Sequence, residues 1–399
     1  MSAVEDDGWR NWSGAIHCPG QGLERPADSA ALCALVDGLG AGERIRAVGS
    51  GHSFVPFWAP GDRLVDLGAF TGLRGVAEGE GGDVAVVGAG TPIHVLGPLL
   101  AAAGRALANQ GDIDRQTLAG AISTGTHGTG RGLGSLSSMV SHLVLVDGTG
   151  TERRIAGEAL PAARVSLGLF GIITEIGIRT VPLYGLHERN HRESVQSCLE
   201  ALEARFETHR HHEFWWVPSE DLCIAKTLDA IEVPQASRTG EIAFGADGER
   251  WGAAWEVFPS ARDARFNEME YAVPAAAGPD CFRALRTAML DAFPKLPWPI
   301  EYRIVAGDDG WLSPTAGVEV AAISVHQDAR RDPAPLFDLA EPILRAHGGR
   351  PHWGKVQRLA ATELADLYPR LGDFAETRRR LDPRDRFLGP WLRTLLPGA

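Results

Sequence analysis

In Glu301-Tyr302-Arg303 an acid and a guanidinium stand two residues apart. On a strand, residues i and i+2 share a face, so both side chains point one way. A guanidinium forks onto a carbonyl or two adjacent hydroxyls. A carboxylate beside it accepts a hydroxyl hydrogen bond, or the proton itself. The same pair also makes an ordinary structural ion pair. The run Gly111 to Gly130 is of another kind: after Leu118 it holds almost no large side chain, only Gly, Ala, Ser and Thr with Ile122 and His127. Glycine permits close backbone approach, and successive N–H groups can form an anion-binding nest. The hydroxyls of Ser123, Thr124, Thr126 and Thr129 add donors. That composition suits a backbone pressed against a flat or anionic ligand; a glycine-rich surface loop is the alternative. A shorter companion lies upstream, where Ile45 to Val48 reads as a buried strand and Gly49-Ser50-Gly51 turns to present His52.

The elements that must hold these residues can be read coarsely. Leu64 to Leu67, Val84 to Val87, Leu143 to Val146 and Ile172 to Ile178 read as short strands bounded by glycine. Thr91-Pro92 predicts a helix with threonine as N-cap, running to about Ala103 and ending at Gly104. Beyond Tyr184 the spacing predicts helices over 194–208 and 280–293 and an aromatic strand at Phe214-Trp215-Trp216-Val217. One helix closes at Gly348-Gly349 and another covers 359–371. The stretch 234–249 reads as a mobile loop. The pattern is α+β, in three parts: residues 1–183, a second α+β unit over 184–340, and a return to the first over 341–399.

Composition narrows the function. The chain has 399 residues, 44% hydrophobic, with a net charge of −12. It has size for two domains, and its charge and lack of a basic cluster argue against nucleic acid. The first residues are acidic, with no secretory pattern, and no apolar run is long enough to span a membrane. A soluble, cytoplasmic chain is expected. Its five cysteines form no CxxC pair and read as free buried thiols. Gly88-Ala89-Gly90 lacks the third glycine of a dinucleotide fingerprint, and no phosphate-binding GxxxxGK[ST] run exists. No GxSxG elbow supports a serine hydrolase. His209, His211 and His212 lack the spacing of a zinc motif and read as a partly exposed strand edge, so no metal is expected.

Taken together, the two glycine segments resemble the FAD-binding domain of the vanillyl-alcohol oxidase type. The chain is most similar to the sugar 1,4-lactone oxidases (gulonolactone and arabinonolactone oxidases), with the alditol oxidases close by. The resemblance runs nearly end to end, through Asn11-Trp12-Ser13, His212-Glu213-Phe214-Trp215-Trp216, Asn267-Glu268-Met269-Glu270-Tyr271, Glu301-Tyr302-Arg303 and Pro351-His352-Trp353-Gly354-Lys355.

The resemblance implies a two-part FAD-binding domain with an α+β cap over the substrate. It implies that Val48, Gly49, Ser50, Gly51, His52, Ser53, Gly120, Ser123, Thr124, Thr126, His127 and Gly128 hold FAD. The flavin ring would lie near Gly111, Asp112 and Thr117, with Ile173 helping to hold the cofactor. At the position of His52 the family carries a histidine bonded to FAD, so a covalent link is expected; no cysteine lies in the cofactor segment for a second one. Gly111 is expected to admit oxygen to the flavin. Glu301, Arg303, Lys355 and His326 would be catalytic, Lys355 balancing charge that develops during hydride transfer. The implied reaction is oxidation of a sugar 1,4-lactone of the gulono, galactono or arabinono type, with oxygen as acceptor and hydrogen peroxide as product. An alditol oxidase, or a lactone dehydrogenase with another acceptor, are the alternatives.

Overall fold

The structure, a computed structural model, describes residues 4–5, 8–19, 22–79, 81–260, 264–396 and 398. Three sheets position the site. Leu23–Glu24, Arg63–Asp66 and Ile45–Val48 form a small parallel sheet. Leu73–Ala77, Val84–Gly88, Ile172–Arg179, Val140–Val146 and Glu152–Ala156 form an antiparallel one. The largest sheet has eight antiparallel strands. In spatial order they are Gly248–Ala253, Gly185–Ser194, Leu222–Ile231, His211–Val217, Ile300–Val305, Val320–Asp328, Phe266–Pro274 and Arg350–Pro351.

Period-two patterning gives this large sheet two unlike faces. Phe214, Trp216, Tyr302, Met269 and Tyr271 are fully buried. Phe214 stacks on Tyr302 at 5.0 Å and meets Phe282 edge-on at 5.0 Å; such ring pairs add about 0.5–1.5 kcal/mol each beyond area burial. Phe282 comes from the helix Gly278–Ala292, whose buried side chains are Cys281, Phe282, Leu285 and Met289. The intervening residues, Glu213, Trp215, Glu301, Arg303, Glu268 and Glu270, turn to the opposite face.

The C-terminal segment packs on the first third of the chain. Arg386 donates to the carbonyls of Gly148, Asp37 and Leu39, and Arg46 donates to Phe387 O. Several local expectations need correction. The helix after Thr91 is Ile93–Ala102 with Pro92 at its N-cap, because the Thr91 hydroxyl bonds Gly88 O and Gly72 N instead. The helix predicted over 359–371 is two, Ala361–Leu367 and Leu371–Leu381; Pro369 pushes Tyr368 out of helical geometry. His211 and His212 are not at a sheet edge. They are fully buried, their Nδ1 atoms bonded to Thr129 O and Lys226 O. Among the described residues no helix is long and apolar enough to cross a membrane.

Candidate active site

Two adjoining cavities lie along the glycine segments, and the larger also faces the large sheet. The smaller, about 130 Å³, is lined by Val48 to Ser53, Thr117, Gly120, Ser123, Thr124 and Ile173. The larger, about 430 Å³, brings Gly111, Asp112, Thr126 and His127 opposite Glu301, Arg303, His326 and Lys355. His52, Ser53, Gln116 and Thr124 line both, so the two are continuous. Gly128 lines neither. A Cβ there would stand 2.1 Å from Gln110 O and 2.3 Å from Asn109 Oδ1, so its glycine serves tight packing.

The cradle is built by local backbone. After the strand Ile45–Val48, Gly51 takes a left-handed φ of +75°. A Cβ on it would also press within 3.1 Å of Asn11 Cα and Trp12 N. That turn sets the His52 ring beside Trp12, centroids 5.3 Å apart. Its Nδ1 is buried with no hydrogen-bond partner. Burial, with Lys355 nearby, pushes the imidazole down to about 4, so it is neutral at pH 7. A neutral, unpaired ring nitrogen at the junction of a glycine cradle and a larger cavity fits an FAD attached or closely apposed there. The hydroxyl-rich helix Leu118–Thr124, capped by Thr117 Oγ1 accepting from Gly120 N, forms the cradle's other wall.

The sheet wall is assembled across strands. One row of facing residues reads Lys226, Glu213, Arg303, Ala322; the next reads Ile224, Trp215, Glu301, Ser324, Glu270; His326 stands opposite Glu268. The guanidinium of Arg303 donates from Nε to Glu213 Oε2 at 2.6 Å and from Nη2 to Glu301 Oε1 at 2.5 Å. Nη2 also lies 3.1 Å from Asp112 Oδ2. Burial works against its charge, but Glu213, Glu301 and Asp112 hold it well above the usual arginine value. Trp215 Nε1 donates to Glu301 Oε1 at 2.6 Å, fixing that carboxylate from a second side. Asp112 therefore turns its carboxylate to the cations of the sheet, although it sits in the glycine-rich run.

Lys355 pairs with Glu268 and lies 5.1 Å over the Phe54 ring. Burial opposes ionisation of Glu268, yet Lys355 and His326 together bring its carboxyl below the ordinary value. His326 Nδ1 lies 2.8 Å from Pro299 O, and its Nε2 lies 3.7 Å from Glu268 Oε1. A carbonyl only accepts, so Nδ1 carries the proton and Nε2 is the basic nitrogen. His127, from the cofactor loop, meets Glu270 Oε1 at 2.9 Å through Nε2 and Gly128 O at 2.8 Å through Nδ1. Glu270 outweighs burial and raises its pKa. Ser324 donates to the other oxygen of Glu270 at 2.7 Å.

Glu213, Glu268 and Glu270 stand in sequence motifs that gave them no role, and Lys226 stands in none. A signal existed for three of them. Glu268 and Glu270 are the two charges of a buried strand and share one face of it, and Lys226 is a lone charge inside the run Cys223 to Leu228.

Known proteins agree with this architecture. The profile described as D-arabinono-1,4-lactone oxidase matches residues 176–245 and 237–395. The chain belongs to this lactone oxidase family. An FAD-binding-domain profile matches residues 21–156 ahead of it. The chain is 33% identical to an L-gulono-1,4-lactone dehydrogenase of Mycobacterium tuberculosis, over 97% of this chain and 99% of the relative. It is 30% identical to an alditol oxidase of Streptomyces, over 97% and 99% of the two chains. Cholesterol oxidase from B. sterolicum superposes with a TM-score of 0.85, covering 99% of this chain and 97% of the other at 16% identity, which establishes a shared fold. The chain is thus an FAD-dependent oxidoreductase of the lactone oxidase/dehydrogenase kind.

Proposed function

We propose that this chain oxidises an aldono-1,4-lactone of the gulono, galactono or arabinono type at a CH–OH carbon, with oxygen as acceptor and hydrogen peroxide as product. The observation that carries this reading is the paired Glu301 and Arg303, facing Gly111 and His127 across one 430 Å³ cavity. Bound FAD supplies the two-electron acceptor for the substrate's hydride. The residues of the chain do the rest. Arg303, locked by three carboxylates, presents its remaining N–H edge to the lactone carbonyl or adjacent hydroxyls. Glu301, oriented by Trp215 and Arg303, accepts a hydrogen bond from a substrate hydroxyl. His326 takes the proton of the reacting hydroxyl at Nε2, and Glu268 stabilises the imidazolium so formed. Lys355 offers positive charge to a substrate oxygen, its own desolvation offset by Glu268.

FAD is held in the cradle of Val48 to Ser53, Thr117, Gly120, Ser123, Thr124 and Ile173, and is attached through His52. The neutral ring and unpaired Nδ1 support attachment, because a nucleophilic nitrogen must be deprotonated and accessible. Gly111 keeps the flavin edge open to oxygen: a Cβ there would stand 3.2 Å from Thr126 Cγ2, so a larger side chain has to project toward the cavity or displace the loop. Gly111→Leu is expected to slow flavin reoxidation by oxygen at least tenfold and to leave anaerobic reduction by lactone intact; unchanged oxygen turnover would contradict the gate.

Substrate class is tested by peroxide formation with gulono-, galactono- and arabinono-1,4-lactone against xylitol and sorbitol. The lactones are expected to be used at least a hundredfold more efficiently. Preference for the polyols would move the assignment to an alditol oxidase, and lactone-driven reduction of dyes without peroxide would move it to a dehydrogenase.

A further inference from the structure

Lys226 belongs to none of the cavity walls. It is 1% exposed, on the strand Leu222–Ile231, one strand removed from the cavity residues it serves. Its ammonium lies 3.0 Å from Glu213 Oε1 and 3.3 Å from Asp112 Oδ1. The other oxygens of the same carboxylates, Glu213 Oε2 and Asp112 Oδ2, lie 2.6 and 3.1 Å from Arg303. Two carboxylates therefore bridge two cations, each giving one oxygen to each. Burying an ammonium is expensive unless it is paired, and breaking such a pair leaves an uncompensated buried charge. A second buried cation kept beside Arg303 needs a task that an apolar residue cannot perform.

The geometry points to Lys226 as a positioning residue that acts through Asp112 and Glu213 to fix the guanidinium of Arg303. This rests on the reading that Arg303 binds the substrate. Asp112 is on the cofactor loop and Glu213 on the sheet, so the clamp also ties the two walls of the cavity together. The other groups facing Lys226 are Glu188 and Arg250, themselves paired at 2.8 Å, the buried His211, and the rings of Trp215 and Phe258 at 5.2 and 5.8 Å. Glu301 and Glu270 face Arg303 from the other side.

Removing the ammonium leaves Asp112 and Glu213 sharing one guanidinium, which raises their proton affinity. As pH falls, one of them takes up a proton and releases its side of Arg303. In Lys226→Met, kcat/KM for flavin reduction by lactone is expected to fall at least tenfold at pH 6 and to recover toward pH 9. KM carries most of the loss, and the acid limb moves up by at least one pH unit. Lys226→Arg restores the wild-type limb. An unmoved limb, or an equal loss at every pH, overturns the clamp.

Melting of the holoenzyme gives a readout independent of turnover. A carboxyl with a raised folded-state pKa binds protons on folding, so stability rises as pH falls. Lys226→Met is expected to gain melting temperature relative to wild type from pH 8 to pH 5; parallel curves overturn the proposal. If the single variant does not fold, Lys226→Met/Asp112→Asn removes one charge of each sign. It is expected to raise KM at least tenfold, and an unchanged KM overturns the proposal. Wild-type protein that no lactone reduces refutes the functional reading instead, and the melting curves still decide the clamp.

Discussion

Around His52 the cavity wall is rich in glycine, serine and threonine, backed by apolar side chains such as Trp9 and Trp58, with a neutral imidazole. Across from it, neighbouring strands bring Glu268, Glu270, Glu301 and Arg303 into the same space, joined by Lys355 from the turn after Arg350–Pro351. The first wall offers backbone groups and hydroxyls, with Arg46 as its charged side chain. The second offers fixed charges, each already paired before a substrate arrives. Preorganised charge in a site closed to water needs little rearrangement at the moment of reaction. The difference teaches a division of labour: the cradle binds through many small contacts, whereas the sheet face concentrates its chemistry in a few ions.

If that division is right, substitutions on the two walls must differ in size. The largest effect is expected for Arg303→Ala. It removes the shared partner of three carboxylates, and breaking a buried pair costs about 3–5 kcal/mol. A loss of that size in transition-state binding lowers kcat/KM by roughly a thousandfold. Stopped-flow reduction by lactone measures it, and a loss under tenfold would erase the contrast between the walls.

His326→Gln is expected to lower the rate of flavin reduction by about a hundredfold, the lower range for removal of a general base, with lactone binding little changed. A rate within threefold of wild type would transfer the proton to another group.

His52→Ala sharpens the comparison from the other side. The fold and bound FAD are expected to persist, with kcat/KM down by no more than about tenfold, because cradle contacts are many and each is weak. On a denaturing gel, flavin fluorescence should stay with the wild-type chain and leave the variant; loss from both removes the tether.

The smallest effect concerns the link between the walls, His127 with Glu270. Glu270 is held well below its ordinary value, chiefly by His127 overcoming burial. Its contribution is present above pH 4.5 and is lost as pH falls through the depressed value. His127 is raised, so its contribution is complete below 6.5 and is lost as pH climbs through the folded value. Glu270→Gln should therefore remove an alkaline decline in melting temperature above pH 6.5, worth on the order of 1 kcal/mol per pKa unit. An unchanged slope would mean that the pair carries no stability.

Legibility in the sequence follows the same contrast. The cradle could be read because its constraints are local: Gly49-Ser50-Gly51-His52 and the small-residue run from Leu118 act through their own backbone. Glu301 and Arg303 could be read because two residues of one strand fix their common direction. What holds them could not. Glu213, Glu268 and Lys226 come from three other strands, and their pairing depends on registers that no single segment encodes. The eight-strand order places residues 226, 213 and 303 side by side although they are far apart in the chain. His211 and His212 misled for the same reason: alone they read as polar edge residues, whereas partner strands bury them. Asp112 is expected near the flavin through the family resemblance alone; that its carboxylate meets Lys226 and Arg303, more than a hundred residues away, could not be read from its own segment.

On the proposed reading, a sugar lactone delivers hydride to a flavin held between these two walls. Anaerobic titration of the purified yellow protein with gulono-, galactono- and arabinono-1,4-lactone tests it most directly. One of them is expected to bleach the flavin absorbance, and admitting oxygen to restore the colour with formation of peroxide. An FAD-loaded protein whose spectrum none of the three changes would contradict it.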